Sequence, residues 1–224
     1  MRPTRQQRLP LSRAFEHTRE GFIVSPSNVE AVAALDAWPA WPGGLLALVG
    51  PEGSGKTHLA QVWARRAGAA TIARGDPDIA AFRGRPVLLE DTDRWSDDES
   101  LFHLINMAGP GGGLLLTGRL TPRAWRTSLP DLRSRLGAMP TAQIEPPDDL
   151  VLDGVLRKFF RERNIRPPDD VMAYLVKRIE RSVPSARDVV CRIDELADAE
   201  RRDITRALAR EVLEPEDRTL GLFD

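Results

Sequence analysis

A single cysteine, Cys191, excludes an internal disulfide and leaves no Cys/His spacing for a metal site, a usage that fits a reducing compartment. Long apolar runs are equally scarce. None approaches the ~18 residues that a membrane-spanning helix requires, and residues 1–10 are polar where a secretory leader would carry an apolar core. Excess charge is missing too. Lys and Arg total 32 against 33 Asp and Glu, so no global basic field marks a protein whose affinity derives from nucleic-acid phosphates. The expectation is a cytoplasmic chain with no membrane association and no strong direct DNA binding. At 224 residues and 42% apolar content, it can build one α/β core and a small second domain.

What is present centres on Gly50-Pro51-Glu52-Gly53-Ser54-Gly55-Lys56-Thr57, preceded by the apolar run 45–49 and followed by a helix-forming run over 58–66. Glycines allow backbone N–H groups to turn inward around a polyphosphate, Lys56 adds a mobile cation, and the Thr57 hydroxyl suits Mg²⁺. A glycine-rich turn with a surface lysine is the plain alternative, and the strand before and helix after argue against it. The loop residues, with His58 opening the helix, are therefore expected to hold ATP or ADP with Mg²⁺.

Before this loop, residues 1–13 have no helical or strand periodicity and read as a tail containing Gln6-Gln7-Arg8-Leu9-Pro10-Leu11. Two leucines around an extending proline suit an apolar pocket on another protein, although docking on the chain's own domain explains them as well. Residues 25–28 read as a turn and cap before a helix over 29–38. The nearby tryptophans Trp38 and Trp41 are expected to pack.

Beyond the loop, residues 71–73 suggest a short strand and 77–82 a short helix. The run Val87-Leu88-Leu89-Glu90-Asp91 reads as a buried parallel strand whose carboxyl end carries two acids, where an open α/β sheet builds its site. One carboxylate there can organise Mg²⁺ and the other can position an attacking water; solvated acids at a strand end are the alternative. A helix over 96–108, a strand over 114–117 ending in Thr117, a short helix over 130–136 with Arg133 and Arg135, and a last strand over 143–145 complete an alternating, doubly wound pattern. After Pro146-Pro147 only helices are expected, over 148–163, 169–181, 185–199 and 203–213, with Arg187 in the first turn of the third. Residues 214–224 read as a second tail.

The runs 22–28, 50–60, 101–106, 129–136 and 178–189 together resemble the DnaA-related AAA+ ATPases, and within them the shortened Hda-type regulators of bacterial replication initiation. The resemblance implies an AAA+ nucleotide-binding α/β domain over 14–146 and an all-helical lid over 147–213. It assigns Lys56 and Thr57 to phosphate and magnesium and Glu90 and Asp91 to the metal and water acids. Thr117 takes the sensor position on the fourth strand, Arg135 the arginine finger that reaches a neighbouring subunit's nucleotide, and Arg187 the lid sensor of the γ-phosphate. It also reads Gln6, Leu9, Pro10 and Leu11 as a motif for the DNA polymerase sliding clamp (its β subunit), with Gln7 standing where leucine is usual. Two departures leave the chain's own hydrolysis open: the acids run Glu-Asp rather than Asp-Glu, and Thr117-Gly118-Arg119 has no asparagine sensor.

The resemblance implies a clamp-bound adaptor that stimulates hydrolysis of ATP held by DnaA and prevents re-initiation, with head-to-tail self-assembly as a further possibility. No room is expected after the lid for DnaA's DNA-binding domain. The competing reading is a stand-alone AAA+ ATPase or loader that remodels a helicase or nucleic acid by its own turnover.

Overall fold

A computed structural model describes residues 17–72, 79–109 and 112–214. Gln6, Leu9, Pro10 and Leu11 of the expected clamp motif lie outside these residues. The elements run α1 (Val29–Asp36), β1 (Leu45–Val49), α2 (Lys56–Ala67), β2 (Ala70–Ile72), β3 (Pro86–Leu89), α3 (Asp98–Met107), β4 (Gly113–Gly118), α4 (Pro130–Gly137) and β5 (Thr141–Gln143), then α5 (Asp149–Glu162), α6 (Asp169–Val176), α7 (Val183–Glu200) and α8 (Arg206–Leu213). All strand pairs are parallel, in the order β2-β3-β4-β1-β5. This is the α/β parallel sheet with following helices that the sequence pattern implies.

Successive residues of a strand point to opposite faces, so apolar runs cover both sides of the sheet. Leu46, Leu48, Leu88 and Leu115 pack with α1 and α2, whereas Ala47, Val49, Val87, Leu89, Leu114 and Leu116 pack with α3 and α4. The tryptophans are packing residues, as expected: Trp41 stacks on Trp63 with centroids 5.0 Å apart, and Trp38 meets Trp63 edge-on. A third core, from Leu152 to Val212, is formed by helices α5–α8 and the turn after α6. Helix starts follow capping chemistry, with Asp97, Asp148, Ser182 and Thr205 each accepting from a backbone N–H three residues on.

Several boundaries differ from expectation. The last strand lies at Thr141–Gln143 rather than 143–145; Ile144, which looked like its centre, belongs to the core beyond the strand end, where its N–H donates to Val49 O at 2.8 Å. The second lid helix stops at Val176 instead of 181, because the chain must turn before Ser182 caps α7. That cap starts α7 at Val183, so Arg187 falls just beyond the first turn.

Candidate functional site

The phosphate loop leaves the carboxyl end of β1 and closes on α2, whose first N–H groups have no partner in their own helix. Gly53 (φ +72°) and Gly55 (φ +99°) both occupy the left-handed region, a shape side chains resist. Lys56 is buried and donates from Nζ to Gly50 O and Pro51 O, each at 2.7 Å. Burial pushes its ammonium below the ordinary lysine value, against the opposing pull of Asp91. Ser54 Oγ is buried with no hydrogen-bond partner among the described residues. A loop with left-handed glycines, a desolvated cation and an orphaned hydroxyl fits the phosphates of a nucleotide.

Parallel crossover brings the end of β3 beside this loop. Glu90 lies 3.5 Å from Thr57 Oγ1 through Oε2, while Gln61 Nε2 donates to its Oε1 at 2.8 Å. Asp91 adopts a left-handed conformation (φ 51°, ψ 43°), and its N–H donates to Thr117 Oγ1 at 3.0 Å. Lys56, Thr57, Glu90, Asp91 and Thr117 thus lie around one loop. Thr57 and Glu90 could hold Mg²⁺, which commonly takes few protein ligands alongside phosphate oxygens.

The side chains of the other candidates make separate contacts. The His58 ring turns to residues 17–22: its Nε2 lies 2.8 Å from Thr18 O and its ring meets His17 and Phe22 edge-on. Burial lowers the His58 pKa, and because a carbonyl can only accept, Nε2 is the donor in this contact. Only its backbone, in the first turn of α2, faces the loop. Arg187 stacks over Phe159 at 5.1 Å, and burial lowers its pKa. Arg135, exposed in the last turn of α4, lies over the Phe102 ring of α3 at 5.5 Å. Arg133 instead donates to Thr127 O at 2.9 Å. Asp98 fastens α4 to α3 by accepting from Thr127 Oγ1 and from the N–H and Oγ of Ser128; burial opposes its ionisation, but these bonds hold its pKa below the usual carboxylate value.

Four participants were not among the site residues expected from the sequence: Gln61, which braces Glu90; Arg119, which pairs with Glu52 of the loop at 2.6 Å; Asp93, which accepts from the Arg119 N–H at 2.9 Å; and Ser182, which packs on Gly53. A helix surface or a loop becomes part of a site only through contacts distant in sequence. The loop and the lid also join directly, since Val183 N–H donates to Gly53 O at 3.0 Å. A Cβ on Gly53 would stand 2.6 Å from Ser182 Cβ, whereas one on Gly68, also left-handed, would meet nothing within 4 Å. Gly68→Ala is expected to cost about 1–2 kcal/mol from backbone conformation alone. Gly53→Ala should cost about 1–3 kcal/mol more through overpacking and should weaken nucleotide binding as well. Urea unfolding of both variants measures the difference; equal losses would show that the lid does not press on the loop.

This sheet order, phosphate loop and following helical module make a parallel α/β fold of the kind seen in domain III of a DnaA protein. In sequence, the chain is similar to the chromosomal replication initiator protein DnaA of Thermomicrobium roseum, 29% identical over 228 aligned positions, across 88% of this chain and 49% of that one. It thus spans about half the length of that relative. No protein-family model matches the chain. Domain III of the Thermotoga maritima replication initiation protein DnaA superposes with a TM-score of 0.72 at 20% identity, covering 89% of this chain and 96% of the other. AMPPCP-bound DnaA from Aquifex aeolicus gives 0.62 at 22% identity, covering 83% and 68%. A RuvB protein of Thermotoga maritima gives 0.70 at 18%, covering 89% and 72%. Among the described residues no helix is long and apolar enough to cross a membrane.

Proposed function

We propose that this chain is a nucleotide-binding regulator of DNA replication initiation, of the Hda type, which stimulates hydrolysis of ATP bound to DnaA while docked on the sliding clamp. Homology to DnaA across most of the chain supports a role in initiation. The exposed Arg135 carries the adaptor reading. It ends a helix that leads into the start of β5, whereas the phosphate loop follows the end of the parallel strand β1. An exposed guanidinium that shares none of the contacts described for its own phosphate loop suits a neighbouring subunit's nucleotide, in a head-to-tail pair with DnaA or with a second copy.

The chain's own nucleotide would be ATP or ADP, as the AMPPCP-bound DnaA relative suggests. The loop N–H groups, Ser54 and Lys56 would hold its phosphates, Thr57 and Glu90 would hold Mg²⁺, and Arg187 would approach from the lid, with the division between the two parts at 146/147. Mg²⁺ when bound supplies charge neutralisation at the phosphate oxygens. Asp91, whose N–H donates to Thr117 Oγ1, would position a water.

In the tail, Leu9 and Leu11 would fill an apolar clamp pocket, with Gln6 at its rim and Pro10 limiting the entropy lost on binding. Leu9→Ala with Leu11→Ala should abolish clamp association while leaving the unfolding transition unchanged; undiminished clamp binding would make the motif coincidental. The loader reading draws on the braced Glu90, a placement suited to turnover by the chain itself. ATPase assays of the protein alone, then with DnaA and clamp-loaded DNA, separate the two: activity only in the full mixture supports the adaptor, and activity alone or with bare DNA supports the loader.

A further inference from the structure

One ion pair crosses the mouth of the site: Arg119 Nη2, just past β4, lies 2.6 Å from Glu52 Oε2 on the phosphate loop. The Arg119 backbone is pinned, since its N–H donates to Asp93 Oδ2, and Asp93 is itself half-buried with Oδ1 unpartnered among the described residues. Its side chain is about 41% exposed and that of Glu52 about 73%, so only the two charged ends hold the bridge. Such an exposed pair contributes about 0.2–1 kcal/mol and is readily exchanged for a stronger one. Arg119, Glu52, Asp91 and Asp93 all act electrostatically on the Lys56 ammonium, which puts them around the same spot.

We propose that Arg119 reads the terminal phosphate of the bound nucleotide, and that Glu52 is an internal anion competing with that phosphate for the same guanidinium. The proposal rests on nucleotide binding at this loop. A carboxylate on a phosphate-binding loop opposes an anionic ligand, and the opposition grows with the ligand's charge. Arg119 moves from Glu52 to the phosphate only when enough negative charge stands at the end of β4. A triphosphate places an added charged group there and a diphosphate does not. A fork of N–H donors suits phosphate oxygens at least as well as a carboxylate. The pair therefore sets the preference between ATP and ADP, and with it which nucleotide the chain carries.

The alternative is that Arg119 merely neutralises Glu52. A double-mutant cycle read by calorimetry with Mg²⁺ and either AMPPCP or ADP distinguishes them. A lost charge-assisted hydrogen bond predicts that Arg119→Ala weakens AMPPCP about tenfold or more and leaves ADP nearly unchanged. Glu52→Gln should tighten AMPPCP about two- to fivefold, the scale of a surface pair. In the Glu52→Gln background, Arg119→Ala must still weaken AMPPCP. Equal loss for both nucleotides, or loss of the Arg119 effect once Glu52 is neutral, would overturn the proposal. Retained ADP affinity shows that the variants fold. A wild-type protein that binds neither nucleotide refutes the binding reading itself, and this inference with it.

Discussion

Lys56→Ala should weaken adenine-nucleotide binding about 10- to 100-fold, the range expected when one strong hydrogen-bond donor to a charged group is removed. The geometry makes the loss specific to the loop. The ammonium is buried against Gly50 O and Pro51 O, and burial already holds its pKa below the usual value. A phosphate supplies the counter-charge that this desolvated cation favours. Lys56→Arg should be a poor rescue, because a planar fork cannot replace a compact ammonium between two carbonyls. Calorimetry with ADP and AMPPCP measures the change, and thermal unfolding without nucleotide controls for folding. Equal affinity in wild type and Lys56→Ala would remove the basis of the nucleotide-binding reading.

The second large effect concerns Arg135. A correctly placed arginine finger accelerates nucleotide hydrolysis by roughly 10³ to 10⁵, so Arg135→Ala should remove nearly all stimulation of DnaA while sparing nucleotide binding at Lys56. Arg133 is the internal comparison. It lies on the same short helix, but its guanidinium already holds Thr127 O, whereas that of Arg135 rests over the Phe102 ring at the surface. Arg133→Ala should accordingly cost far less, mainly through the turn before α4. Arg135→Lys should rescue poorly, since a single ammonium lacks the fork that spans two phosphate oxygens. The measurement is single-turnover hydrolysis of ATP preloaded on DnaA in the presence of clamp-loaded DNA. If Arg135→Ala stimulates as well as wild type does, the adaptor mechanism is wrong.

Features governed by neighbours along the chain were legible in the amino acids themselves. The phosphate loop is one, because its eight residues carry both the backbone freedom and the cation that the chemistry demands. The central strands are another: 45–49, 87–89 and 114–117 are apolar almost throughout because both faces of a parallel sheet are covered. Capping at Asp97 and Asp148 is also local. The strand boundary that moved was decided by pairing. Residues 141–143 rather than 143–145 form the edge strand because Ala47–Val49 of β1 offers them partners, while Ile144 is drawn into the core beyond the strand end.

The working details of the site arose only on folding. Gln61 and Glu90 are 29 positions apart, and Glu52 and Arg119 are brought together from different crossovers. Ser182 of the helical part meets Gly53, and the His58 ring is taken up by residues 17–22. In a parallel sheet each strand end reaches the site through its own connection. Residue type therefore determined that phosphate could be held here, and tertiary structure alone decided which charges surround it.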